Sequence, residues 1–90
     1  MSEPSKRYNI TIKPSARKEL RKFPPEIKTR IHISIIALSD DPYKRGIRKL
    51  VQYNDIFRMR VGDYRILFRI DEKEHSITVL EVTNRKDAYR

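Results

Sequence analysis

Tyr8-Asn-Ile-Thr-Ile-Lys13 alternates apolar and polar residues, with Tyr8, Ile10 and Ile12 on one side. A period of two predicts a half-buried strand. Pro14 and Ser15 end it. Ser15 is a good N-cap, Glu19 follows in the next turn, and a short helix is predicted over Ala16–Lys22. Phe23-Pro24-Pro25 breaks that helix, and Pro25 can sit in the first turn of a second. Ile27, Ile31, Ile35 and Leu38 then recur at spacings of four, four and three, a single apolar stripe at helical period. Asp40-Asp41-Pro42 stops this helix.

Tyr43 to Gln52 reads as a basic connector holding Lys44, Arg45, Arg48 and Lys49, with Gly46 as a break and a short strand expected at Lys49-Leu50-Val51. Beyond it, Ile56–Val61 and Tyr64–Ile70 both alternate strictly and are separated by Gly62-Asp63, a pair suited to a tight hairpin turn. A two-residue loop sets the register. Val61 then faces Tyr64, Arg60 faces Arg65, Met59 faces Ile66, Arg58 faces Leu67 and Phe57 faces Phe68. Phe57, Met59, Val61, Tyr64, Ile66 and Phe68 share the side that must be covered by the helices. Arg58, Arg60, Arg65, Leu67 and Arg69 share the other. The charged turn Asp71–His75 leads to a last strand, Ser76–Thr83, whose Val79, Leu80 and Val82 look apolar on both faces, as in a central strand. The element order is β-α-α-β-β-β. It predicts an α+β fold, a helical hairpin on one face of a small, mostly antiparallel sheet. Residues 1–6 read as a flexible tail and 7–90 as a single domain.

Charge sharpens this picture. The 90 residues contain 21 Lys and Arg against 12 Asp and Glu, a net charge of +9. Between Lys44 and Arg69, eight basic residues stand against Asp55 and Asp63, so six of the nine net charges fall there. Such a concentration implies a polyanionic partner. With no cysteine, a disulfide framework, a thiolate zinc site and a cysteine nucleophile are excluded. Two histidines cannot build a multi-histidine metal site unaided. No metal, cofactor, small-molecule substrate or membrane partner is expected. No apolar run is long enough to span a bilayer and no signal peptide is visible, so a cytoplasmic location is expected.

Arg60 opposite Arg65 carries the most weight. Like charges in a directly opposed pair destabilise a sheet. A bound anion relieves the repulsion and can take bidentate hydrogen bonds from both guanidiniums. Splayed, salt-screened arginines are the alternative for any one of them. Four arginines on one face beside a basic connector favour an anion site. Tyr43 and Tyr53 flank the connector and could stack on bases or pack against the sheet edge. Glu81 could be a buried general base, but an ion pair with a nearby arginine is the expectation; His32 and His75 are expected to be surface or helix-flank residues.

The element order, the segment Lys49-Leu50, the run Phe57-Arg-Met-Arg-Val-Gly-Asp-Tyr-Arg-Ile66 and the ending Arg85-Lys-Asp-Ala-Tyr89 resemble the RelE/ParE superfamily of toxin–antitoxin toxins. The resemblance runs from Tyr8 to the C-terminus. It implies a toxin with a cognate antitoxin, and by the RelE-like branch a ribosome-dependent mRNA endoribonuclease that inhibits translation. Cleavage there proceeds by attack of the 2′-hydroxyl on the adjacent phosphate. On that resemblance Arg58, Arg60, Arg65, Arg85 and Tyr89 are the catalytic candidates: Arg65 and Arg85 hold the scissile phosphate, and Tyr89 stacks on or orients a nucleotide. Lys44, Arg45, Arg48, Lys49 and Arg69 are candidate RNA or phosphate contacts. The positions of Arg58 and Arg60 are typically lysine in RelE-like members. Many nucleases of the superfamily have a histidine near the terminal tyrosine, where this chain has Asn84 before Arg85. Arginine does not deprotonate at ordinary pH, so the chain has charge machinery without an evident acid–base pair. The alternatives are a ParE-like gyrase inhibitor without nuclease chemistry and an inactive basic RNA-binding domain.

Overall fold

A computed structural model describes residues 7–44 and 46–84; the expected tail over 1–6 lies outside them. Strand β1 (Asn9–Ile12) is followed by helices α1 (Pro14–Arg21) and α2 (Pro25–Asp40) and by strands β2 (Arg48–Lys49), β3 (Ile56–Val61), β4 (Tyr64–Asp71) and β5 (Ser76–Asn84). The sheet order is β1-β5-β4-β3-β2. β1 is parallel to β5 and the other neighbours are antiparallel. This is the α+β layer pair that the hydrophobic pattern called for.

α1 starts two residues earlier than its pattern indicated. Pro14 occupies the first turn and Lys13 is the N-cap without a side-chain bond, so Ser15 lies inside the helix and caps nothing. Proline's fixed φ suits that position, and its missing N–H would have had no intrahelical partner there. α2 begins in the same way at Pro25, and the Pro24 carbonyl accepts from the backbone N–H groups of Ile27 and Lys28.

The helices cover one sheet face. Ala16 and Leu20 from α1, with Ile31, Ile35 and Leu38 from α2, are buried against Met59, Ile66, Phe68, Ile70, Ile77, Val79 and Val82. The hairpin has the register expected from Gly62-Asp63, pair for pair. Gly62 has φ +60, and Asp63 is not among the residues of positive φ. A glycine at the first of two loop positions, left-handed there alone, is the type II′ pattern.

β5 is interior to the sheet, between β1 and β4. Its apolar run has a different origin from the one its sequence suggested. Phe68 faces Val79 and Leu67 faces Glu81, which leaves Leu80 unopposed in a β-bulge. The extra residue resets the alternation, so Val79 and Val82 are both buried in the core although three positions apart. Two buried faces are not needed to explain the run.

A polar knot joins three distant segments at the far end of the sheet from the Gly62-Asp63 turn. Tyr8 donates from its hydroxyl to both Glu72 carboxylate oxygens, at 2.8 and 2.9 Å, and the Tyr43 hydroxyl donates to Glu72 Oε2. His75, at φ +52, stacks on Tyr8 with ring centroids 3.9 Å apart. Tyr43 also meets Phe57 edge-on at 5.6 Å. Of the two readings open for Tyr43, packing against the sheet is the one seen. Hydrogen bonds from Tyr43 and then Tyr8 hold the Glu72 carboxyl below its ordinary value. Both tyrosines are pushed up, first by loss of hydration and then by Glu72.

Two outcomes test this account of the fold. Phe68→Ala, which empties the largest fully buried side-chain volume, is expected to cost about 3–5 kcal/mol in urea unfolding. Glu72 has a lowered pKa in the folded protein, so its contribution to stability is complete above the ordinary value of 4.5 and is lost as pH falls through the folded value. The stability difference between the wild type and Glu72→Gln should therefore be constant at neutral pH and shrink below about pH 4.5. A difference that grew on acidification would contradict the hydrogen-bonded carboxylate.

Candidate functional site

The face of the sheet away from the helices is ordered by strand register. Arg48 on β2 is opposite Arg58 on β3, Arg58 is opposite Leu67 on β4, and Leu67 is opposite Glu81 on β5. The next row toward the turn runs Arg60, Arg65, Thr83. The row on the other side runs Ile56, Arg69, Thr78 and then Thr11. The period of two that buries Met59 and Ile66 leaves Arg58, Arg60 and Arg65 nowhere else to point.

A two-residue loop makes Val61–Tyr64 a hydrogen-bonded pair. Arg60–Arg65 is then of the non-hydrogen-bonded type, whose Cα atoms are roughly 4.5 Å apart and whose side chains lie closest. Arg58 and Arg65 are half-buried; Arg48 and Arg60 are exposed. Among the described residues, no carboxylate forms an ion pair with any of these four. A depression of about 430 Å³ opens between Gly46, Arg48, Arg58 and Arg60. Two unit charges about 4 Å apart repel by about 1 kcal/mol in water and about 4 kcal/mol near a protein surface. Splaying and salt lower this, and a phosphate-like anion reverses it by accepting from several guanidiniums at once.

The other candidates are distributed as follows. Arg69 shares the face but bonds Asp55 at 3.1 Å, so its charge is already matched. Lys49 is opposite Phe57, and its register puts it on the helix side of the sheet, where at the edge it is exposed. Lys44 is exposed in the α2–β2 connection. Arg45, Arg85 and Tyr89 lie outside the described residues. β5 ends with Asn84 opposite Tyr64, and its Thr83 shares the row of Arg65. β5 thus ends at the end of the sheet that holds the Arg60–Arg65 pair.

Glu81 departs from its expected role. It forms no ion pair among the described residues, because Leu67 stands between it and Arg58. His32 is exposed on α2, and His75 belongs to the Glu72 knot, away from the arginines. Two features were not read from the sequence. One is the Arg48–Arg58 opposition, for which the β2 register is needed. The other is Arg30, whose guanidinium lies 3.4 Å from where a Cβ on Gly62 would be. A positive φ on a glycine in a two-residue loop is a legible signal for close approach, but not for the identity of the approaching group.

Comparison with known proteins follows the same outline. The family described as ParE toxin of type II toxin–antitoxin system, parDE, matches residues 10–89. Toxin RelG of Mycobacterium tuberculosis is 32% identical over 84 residues, which cover 92% of this chain and 97% of that protein. Toxin RelE of the same organism is 24% identical over 84 residues, covering 92% and 87%. Among solved structures, the toxin–antitoxin complex RelBE2 from M. tuberculosis contains a chain that superposes with a TM-score of 0.79 at 31% identity, over 88% of this chain and 92% of that one. The archaeal RelE–RelB complex from Pyrococcus horikoshii gives 0.78 at 26% identity, over 87% and 94%.

If the opposed arginines repel in the free protein, Arg60→Gln should stabilise it at low ionic strength by about 0.2–1 kcal/mol. The gain should vanish as salt is raised, since screening acts on the wild-type pair alone. Urea midpoints across a salt series read both effects, and a variant less stable than wild type at low salt would refute the repulsion.

Proposed function

This chain belongs to the ParE toxin family of type II toxin–antitoxin systems, within the RelE/ParE superfamily, and we propose that it is a ribosome-dependent mRNA endoribonuclease. The observation that carries the reading is the open sheet face, where Arg58, Arg60 and Arg65 stand with Arg48 and no carboxylate partner among the described residues. The similarity to proteins named RelG and RelE supports this branch.

In the proposed reaction the 2′-hydroxyl of one nucleotide gives its proton to water as its oxygen attacks the adjacent phosphorus, and the P–O5′ bond breaks with the 5′-oxygen taking a proton from water. A 2′,3′-cyclic phosphate and a 5′-hydroxyl result. Negative charge builds on the non-bridging oxygens, within reach of guanidiniums that are already in place. Preorganised donors of this kind stabilise charge that develops in the transition state without reorganising. Arg65, half-buried and held by the β4 ladder, is assigned to the scissile phosphate; Arg60 completes the clamp and Arg58 flanks it. Arg85 and Tyr89 are assigned to the same phosphate and to an adjoining nucleotide by their motif. Arginine cannot serve as the base, so positioning of the RNA by the ribosome supplies much of the acceleration. The cognate antitoxin is the partner in the resting state. An acidic or amphipathic segment that covers the arginine face would match both its charge and its exposure.

Mapping mRNA 5′ ends after incubation with translating ribosomes tests this. New ends within the A-site codon are expected. Arg65→Ala should lower their yield about 10²–10³-fold, the usual effect of removing one charge-stabilising donor. The ParE description of the matched family supports a second reading, inhibition of DNA gyrase. Loss of supercoiling in a purified gyrase assay, with mRNA left intact, would establish that reading in place of the first.

A further inference from the structure

We propose that the β2 edge adds a second anion subsite, the Arg48–Arg58 pair, so that the face holds two consecutive phosphates of one RNA strand. Arg60–Arg65 holds the first and Arg48–Arg58 its neighbour. The proposal rests on the RNA reading and extends it to the length of strand recognised.

Three observations carry it. The two pairs are independent register oppositions, on adjacent rows of the same face. Arg58 and Arg60 are two residues apart on β3, hence roughly 7 Å along the strand. That matches the step between neighbouring phosphates of an extended single strand. Finally, the depression of about 430 Å³ joins the rows, since Arg48, Arg58 and Arg60 line it together with Gly46. Gly46, at φ +94, has no atom beyond itself and its chain neighbours within 4 Å of where a Cβ would be, so no other described group crowds that side of the depression.

The boundaries of the face agree. The row beyond Arg58 ends the run of arginines without a carboxylate partner among the described residues, because Arg69 is bonded to Asp55 and Ile56 is buried. Two phosphate positions therefore fit where a third would meet a neutralised pair. A lone cation on an edge strand also discourages edge-to-edge pairing. That role does not require it to stand directly opposite another arginine, which weakens the sheet.

The test uses the whole chain and two probes that cannot be cleaved, 2′-O-methyl UpU with one internucleotide phosphate and 2′-O-methyl UpUpU with two. Affinities are measured across a salt series. Wild type should bind the trinucleotide at least about tenfold more tightly than the dinucleotide at low salt. Arg48→Gln should bring trinucleotide binding down to the dinucleotide level, leave the dinucleotide within about twofold, and lower the trinucleotide salt slope by about 0.7. Arg48→Lys should recover part of the loss, and Arg65→Gln should weaken both probes. Equal losses on the two probes for Arg48→Gln, or no loss on the trinucleotide, would overturn the second subsite. Failure of wild type to prefer the trinucleotide would overturn it too, while A-site cleavage of mRNA would keep the RNA reading intact. With neither binding nor cleavage, both fall.

Discussion

Burial of Met59, Ile66 and Phe68 in the core beneath the helices locks the β3–β4 hairpin into one register, and that lock drives like charges together on the opposite face. A slip of one residue would turn these side chains out to water. Burying each is worth about 1.5–3 kcal/mol. The repulsion between two solvated guanidiniums about 4 Å apart is about 1 kcal/mol in water. The apolar term wins with a margin, so Arg60 and Arg65 stay opposed even though neither gains from it. The same ladder, carried on to the edge, brings Arg48 across from Arg58.

The molecule thus separates its functions by face. One side of the sheet is a dry core roofed by two helices; the other is a field of cations anchored by a rigid ladder. Three of the negative groups around this sheet are already engaged or set apart. Asp55 bonds Arg69, Glu72 accepts from two tyrosines at the far end of the sheet, and Glu81 stands behind Leu67. An anion arriving at the arginines that have no carboxylate partner among the described residues finds donors whose mutual repulsion it relieves. That arrangement suits stabilisation of charge developing on a bound phosphate-like anion better than proton transfer.

Much of this was legible from local pattern. Gly62-Asp63 between two alternating runs led to the five hairpin pairings, because a short loop permits few registers and burial selects among them. The arginine face followed at once. The stripe Ile27, Ile31, Ile35, Leu38 likewise marked the buried side of α2. Misreadings arose where one extra residue or one distant contact decides the outcome. Leu80 looked like half of a doubly buried strand and is a bulge; Ser15 looked like a cap and lies inside α1, because Pro14 was free to start the helix. Glu81 was expected to bond an arginine, and register placed a leucine between them.

The sequence by itself determined the alternation, the helical stripe, the turn and the excess of positive charge, since each depends on residues within a few positions of one another. Tertiary structure decided which charges are matched among the described residues. Arg69 with Asp55, Glu72 with Tyr8 and Tyr43, and Arg48 with Arg58 are contacts across strands and connections, 14, 64, 29 and 10 residues apart in turn. Charge is written residue by residue, but its neutralisation depends on distance in space, and distance is set by the ladder that the core holds in place.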